Sequence, residues 1–478
     1  MLLLDTCVAE EAPVGFKKSA LMWEENTMNF RQKPGGFTRR ALMATAMAAL
    51  TVASVGTTSV SAKEAPITIV INQSPWFPGF KAVVDKYVAE TGNALEFDVN
   101  PFAGSLEKQR TAVRTDESPF DILIMNAGFF VEFYTGGFME PLTDIDSSFS
   151  LSPDIYTFDD SPYWNAETKR IDRENGQLLT VPVNPFIPIL HYRADLYKEK
   201  GLSVPTTWDE LYANAEALNN PPRMYGISQR GQRGAFDVTF DVFPYILSHG
   251  GGVFANQKAG DYTITINSPG TLAGMETYLK LANNVGHPST AGQTQTNVIQ
   301  NMSTGRAGHI MGVPAPALFD DPTKSAVVGV VNYAAPPGTK DYPSSPGLGH
   351  WLAGVPKNIP DDRKAAAIEF FKWFQTDDAQ RAYAEAGSPP VSKSVMTSDM
   401  ADMPEYRYMK ALADALPTAQ LTFIIPEASQ VLAITELRFN QAISGELELK
   451  QALNMAAEEI KKVMDDSGYD APALEPLQ

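Results

Sequence analysis

Five histidines, His191, His249, His287, His309 and His350, are the first residues to test for chemistry, and no two of them stand three or four positions apart. A helical zinc hydrolase site needs that spacing, as in H-E-x-x-H, so a metal centre of that kind is not expected. Ser248-His249-Gly250-Gly251-Gly252 carries the letters of an esterase oxyanion hole. Such a hole serves a G-x-S-x-G nucleophile elbow, and the chain has none. The run is instead expected to end a helix in a glycine-rich turn before a strand at Tyr262–Ile266. No phosphate-cradling loop is present either, since Gly347-Leu348-Gly349 lacks the third glycine of G-x-G-x-x-G. A glycosidase carboxylate pair would be defined by a separation of ~5–9.5 Å that sequence does not give. Most of the 56 Asp and Glu residues are expected to be solvated surface. The chain therefore reads as a non-enzyme without metal or cofactor.

What remains is a set of polar and aromatic residues at the ends of expected strands. Ile67–Ile71 is a short run rich in β-branched residues. Pro78–Gly92 then places Phe80, Val83, Val84, Tyr87 and Val88 at helical spacing and closes on a glycine. Leu95, Phe97 and Val99 alternate like a strand, Ser105–Arg114 reads as a helix, Phe120–Met125 as a buried strand and Phe129–Thr135 as a short helix. Repeated strand–helix units predict a parallel sheet covered on both faces. Ligands of such sheets bind beyond the carboxyl ends of the strands, which here are Asn72–Phe77 and Asn126-Ala127-Gly128.

Further along, Val181-Pro182-Val183-Asn184-Pro185 and Pro336-Pro337-Gly338 are proline-punctuated extended stretches of the kind that cross between domains. Thr207-Trp208-Asp209-Glu210 is a capping box, and the helix it opens carries Leu211, Ala215 and Leu218 on one face. Phe370, Phe371, Trp373 and Phe374 recur at helical spacing and are expected to pack a helix on its sheet. Pro426–Asp466 reads as two amphipathic helices broken at Gly445.

The 478 residues carry 38 Lys+Arg against 56 Asp+Glu, a formal charge of −18. That balance repels phosphate backbones, so nucleic acid is not an expected partner. Arg31, Lys33, Arg39 and Arg40 precede an uncharged stretch from Ala41 to Ala62, and Val60-Ser61-Ala62 is a small-residue cleavage site. The apolar part, Ala41–Val55, is too short and too polar for a span of ~30 Å. Residues 1–62 thus read as an export signal cleaved near Ala62, with Thr38-Arg39-Arg40-Ala41-Leu42 similar to a twin-arginine motif. Met28 would open a signal of conventional length, which makes residues 1–27 an over-long start. Removing residues 1–62 also removes Cys7, so the mature chain has no thiol and no lipid-attachment cysteine. A periplasmic location is expected.

Motifs in order along the mature chain resemble family 1 extracellular solute-binding proteins, the sugar receptors of bacterial ABC importers, similar to maltose- and multiple-sugar-binding proteins. The resemblance rests on Phe120–Leu123, Gly176–Pro182, Leu190–Leu196, Gly201–Leu211, Ser248–Gly252, Gly305–Ile310 and Gly349–Pro356. It implies an α/β fold of two lobes, a type II flytrap, with parallel-rich sheets flanked by helices and a multi-strand hinge. The expected lobes are residues 63–183 plus 338–388 and 184–337 plus 389–478. It also implies a monomeric receptor that passes its solute to membrane-embedded permease subunits.

A sugar or polyol presents hydroxyls on its rim and C–H patches on its faces, so it needs aromatic platforms and amide, carboxylate or guanidinium partners. The expected ligand contacts are Trp76, Phe77, Asn126 and Gly128 from the first lobe, with Trp351 preferred to His350, whose side chain should point to the opposite face. Asn184 comes from the hinge, and Arg230, Phe236 and Gly312 from the second lobe, Gly312 for close backbone approach. Arg230 and Arg233 keep open an anionic solute, such as glycerol phosphate or an organic acid; a polyamine and a periplasmic carbohydrate-active enzyme complete the alternatives.

Overall fold

The computed structural model describes residues 66–234 and 236–478. The export signal expected over residues 1–62 lies outside the described residues. Parallel strands Ile67–Asn72, Leu95–Asn100 and Ile122–Asn126 form three strands of a five-stranded sheet, with Ile67–Asn72 between the other two. Trp351–Gly354 then pairs antiparallel with both Ile122–Asn126 and Thr180–Asn184. The order Leu95, Ile67, Ile122, Trp351, Thr180 brings a strand from far along the chain into the middle of the sheet. That strand and both its partners are buried throughout. Leu95–Asn100 lies at the edge and leaves Val99 exposed.

The helix after the first strand spans Phe77–Thr91, with a proline in its first turn and Gly92 in the left-handed conformation that ends it. Phe80, Val83, Val84 and Tyr87 are buried, and Phe80 packs edge-on against Phe374 of the Asp361–Phe374 helix. Phe370 and Phe371 are buried with it, while Trp373 sits at the margin and donates to Glu90.

A second sheet has Ile189–Arg193 at its centre, antiparallel to His309–Gly312 and Val331–Ala334. The resemblance led to parallel-rich sheets. Here parallel pairing occurs as isolated bridges, Tyr225 to Ala307 and Ser228 to Ile310, beside an antiparallel centre. The capping box forms as read: Thr207 accepts from the Glu210 amide and the Glu210 carboxylate accepts from the Thr207 amide. Leu211, Ala215 and Leu218 are buried. Asp237–Leu247 is buried along its whole length, and Trp208 stacks on its Tyr245 with ring centroids 4.0 Å apart. Helices Ala428–Ser444 and Leu449–Asp466 meet at left-handed Gly445 and pack together. Ser248–Gly252 ends a helix, and Gly251 approaches the Thr271 amide so closely that a Cβ there would lie 2.4 Å from its nitrogen. This run is a packed turn.

Candidate functional site

The carboxyl ends of the first and third strands, Asn72–Pro75 and Asn126, open onto a cavity of about 240 Å³. Trp351, at the start of its antiparallel strand, is registered opposite Asn126 and enters the same space. The opposite wall is Arg230, Phe236, Asp237, Phe240, Gln295, Thr296 and Ile299.

Trp351 is only 3% exposed; its ring lies 5.8 Å from that of Trp76 and meets Phe102 edge-on at 6.0 Å. Phe102 in turn meets Phe236 edge-on at 5.4 Å, so aromatic rings continue across the cavity. Around them, Asn72 Oδ1, Ser74 Oγ and the indole nitrogens of Trp76 and Trp351 are buried without a hydrogen-bond partner among the described residues. Leaving such groups dry and unpaired costs about 1–3 kcal/mol each.

The facing wall is charged but compensated. The Arg230 amide donates to Asp241 Oδ2 at 2.9 Å and Nε to Asp241 Oδ1 at 3.3 Å, while Nη1 reaches Gln295 Oε1 at 3.2 Å. Asp237 Oδ1 lies 3.9 Å from the same guanidinium and accepts from the Gln295 amide at 2.7 Å. Burial raises the pKa of both acids, Asp241 to about 6, against the opposing attraction of Arg230. Tyr278 donates its hydroxyl to the Arg230 carbonyl, and Gln229 donates to the Tyr245 hydroxyl, fixing the loop. Behind it, Glu436 accepts from the Gly234 amide and burial lifts its pKa to about 7. One guanidinium with two close carboxylates leaves no net positive field for an anion. The set offers both donors and acceptors, which suits hydroxyl groups.

The structure brings four of the nine expected residues to this cavity: Asn126, Arg230, Phe236 and Trp351. Asn126 spends its side chain on the turn, donating to the Gly349 carbonyl and accepting from the Gly128 amide. The other five lie elsewhere. Trp76 caps the Phe77–Thr91 helix, is 4% exposed between Phe80 and Trp351, and borders a neighbouring hollow. Phe77 is the first residue of that helix and turns to Phe97. Gly128 is buried where a Cβ would overlap the Phe236 ring, 1.8 Å from its Cζ, so the glycine makes room for Phe236. Asn184 donates to the Tyr383 hydroxyl at 3.2 Å within the core. Gly312 ends a buried strand, and a Cβ there would meet nothing nearer than 3.8 Å, so no tight approach demands glycine.

His350 does point away from Trp351, its Nε2 2.8 Å from Ser161 Oγ, with its pKa lowered to about 3 by burial. Arg233 is exposed and outside the cavity wall. Phe102, Phe186, Phe240 and Gln295 were not singled out by sequence. For Phe102 the strand-end rule held the signal, since it follows strand Leu95–Asn100. For Gln295 it was the Thr294–Asn297 capping box that starts its helix. Among the described residues no cluster of three or more His, Cys, Asp or Glu could hold a metal ion. No described helix is long and apolar enough to cross a membrane.

Comparison with known proteins bears on this arrangement. The family described as bacterial extracellular solute-binding protein matches residues 72–381. The mannitol-binding protein of Pseudomonas aeruginosa is 20% identical over 384 residues, 76% of this chain and 84% of that protein. The sn-glycerol-3-phosphate-binding periplasmic protein of Agrobacterium fabrum is 28% identical over 110 residues, 22% of this chain; the match spans about a quarter (24%) of that relative's length. Among solved structures, an ABC transporter solute-binding protein of Agrobacterium radiobacter in complex with ribitol superposes with a TM-score of 0.71 at 23% identity, covering 83% of this chain and 98% of that one. Maltose-bound MalE3 of T. maritima gives 0.70 at 20% identity, covering 83% and 99%. These likenesses establish the two-lobe binding-protein fold.

Proposed function

The chain belongs to the bacterial extracellular solute-binding protein family, and on that premise we propose that it is a periplasmic receptor that captures a neutral sugar or polyol and delivers it unaltered to an ABC permease. The observation that carries the ligand class is the cavity itself. Unpaired buried polar atoms sit among aromatic rings on one wall, and a guanidinium already matched by two carboxylates stands on the other. Ribitol and mannitol in solved relatives agree with this class. At about 240 Å³ the cavity lies just below the ~300–1,000 Å³ of drug-sized sites, which suits a single sugar ring or an acyclic polyol.

The lobes are assigned as residues 63–183 plus 338–388 and 184–337 plus 389–478, with residues 1–62 as a twin-arginine-like export signal. In the mechanism we assign, the solute touches Trp351 and Ser74 of one lobe and Arg230 and Asp237 of the other. Only differential affinity for the closed arrangement shifts the open–closed equilibrium, and contacts to both walls provide it. Phe236, seated against Gly128, closes the cavity between them. The receptor acts as a single copy and catalyses nothing.

Calorimetric titration with hexoses, pentoses, hexitols and pentitols tests this reading. Binding of at least one of them in the micromolar range or tighter is expected. Silence across the panel with heat from an anionic or cationic solute would refute it.

The glycerol phosphate reading draws on relatives matched over a short stretch. It is disfavoured by the compensation of Arg230.

A further inference from the structure

A second hollow, about 750 Å³, lies beside the small cavity and shares Pro75, Thr296 and Ile299 with it. Its walls are the start of the Phe77–Thr91 helix, the Gln295–Ser303 helix, the segment 314–318 and the turn 387–389. The two hollows therefore adjoin at Pro75, Thr296 and Ile299 and differ in chemistry.

The small cavity is rich in groups that hydroxyls satisfy. The larger groove is built mainly from proline, alanine, isoleucine and leucine side chains, with Trp76 at its base. Most of its polar groups are already engaged. Ser303 Oγ and Thr304 Oγ1 both donate to the Gln300 carbonyl, Ser388 Oγ donates to the Trp76 carbonyl, and Lys324 pairs with Asp321. That leaves Thr296, Gln300 and the single Trp76 indole N–H to meet a guest. A second sugar lying there would turn hydroxyls against Pro314, Ala315 and Leu318, which offer no side-chain partners, at a cost in free energy. An apolar group would instead gain by leaving water.

We propose, resting on the neutral sugar or polyol reading above, that the ligand is a glycoside. Its sugar occupies the small cavity, and its apolar aglycone, an aryl or short alkyl group, passes Pro75 and Ile299 into the groove.

The test is calorimetry on the mature chain with matched probes: free sugars, their methyl glycosides, their para-nitrophenyl glycosides, and disaccharides of the same sugars. The aryl glycoside is expected to bind at least tenfold tighter than the methyl glycoside, about 1.4 kcal/mol. Ala317→Trp, at an exposed position on the groove wall, is expected to erase that advantage and leave methyl-glycoside binding as it was. Equal affinity for aryl and methyl glycosides would overturn the proposal. So would an aryl advantage that survives Ala317→Trp, or a disaccharide that gains more than the aryl glycoside, which would make the groove a second sugar subsite. An Ala317→Trp protein that binds every probe like the parent but fails in uptake would assign the groove to the permease. If no sugar or glycoside binds at all, the underlying reading falls first and this one with it.

Discussion

Asp237 stands 3.9 Å from the Arg230 guanidinium, and replacing it with asparagine should convert a site that rejects anions into one that tolerates them. At an effective dielectric of about 20, the Asp237–Arg230 attraction is worth about 4 kcal/mol, and Asp241 adds a second, closer counter-charge. A ligand phosphate arriving about 5–6 Å from Asp237 would be repelled by about 3 kcal/mol per charge on the same scale. Relaxation and penetrating water reduce that to roughly half, still about a tenfold effect on affinity. Asparagine keeps an oxygen to accept from the Gln295 amide, so the helix it anchors should hold. The assay is competitive titration of a neutral sugar against its 6-phosphate, in the wild-type protein and in Asp237→Asn. The wild type should favour the neutral form, and the variant should narrow the preference by about tenfold, more at low salt than at high. A wild type that prefers the phosphate, or a variant with an unchanged ratio, would refute the compensation argument.

Three other perturbations follow from the same structure. Gly128→Ala would drive a methyl into the Phe236 ring and should weaken ligand binding at least tenfold, while the thermal midpoint moves little; unchanged affinity in calorimetry would show that Phe236 does not close the site. Lys258, paired with Asp159 from a distant part of the chain, is partly exposed. Lys258→Ala should therefore cost less than about 1 kcal/mol of affinity, lost in high salt. Glu436 has a folded pKa near 7 against an ordinary 4.5, so the folded state holds the extra proton between those values. Its ionisation should remove up to about 3 kcal/mol of stability as pH rises from about 4.5 through 7. Glu436→Gln should flatten that decline in urea unfolding curves recorded from pH 5 to 8, and an equally steep decline in the variant would sink the assignment.

The first lobe's strands and helices were legible because their apolar periods are unambiguous and Gly92 and Gly445 stop helices as isolated sequence rules require. The period of two also separated Trp351 from His350, whose side chains point to opposite sides. Arg230 and Phe236 are legible because the segment Gln229-Arg230-Gly231-Gln232-Arg233-Gly234-Ala235-Phe236 concentrates donors, glycines and an aromatic. Phe186 and Phe240 are not, since apolar residues in a buried segment look alike until the opposite lobe is placed against them. Its place in a strand-end loop points to Trp76 as a platform. The turn into the helix rotates it between Phe80 and Trp351, a consequence of packing that no local pattern encodes. Gly128 and Gly312 looked equivalent in sequence, yet only Gly128 has a ring where its Cβ would be.

The most direct measurement is a crystal structure of the mature protein purified from its native host and determined without added ligand. The account predicts an uncharged polyhydroxylated molecule between Trp351 and Arg230, with its hydroxyls on Ser74, Asn72 and the Trp351 indole nitrogen. Density for a phosphate or carboxylate seated on Arg230, or a guest bound to one lobe alone, would contradict it.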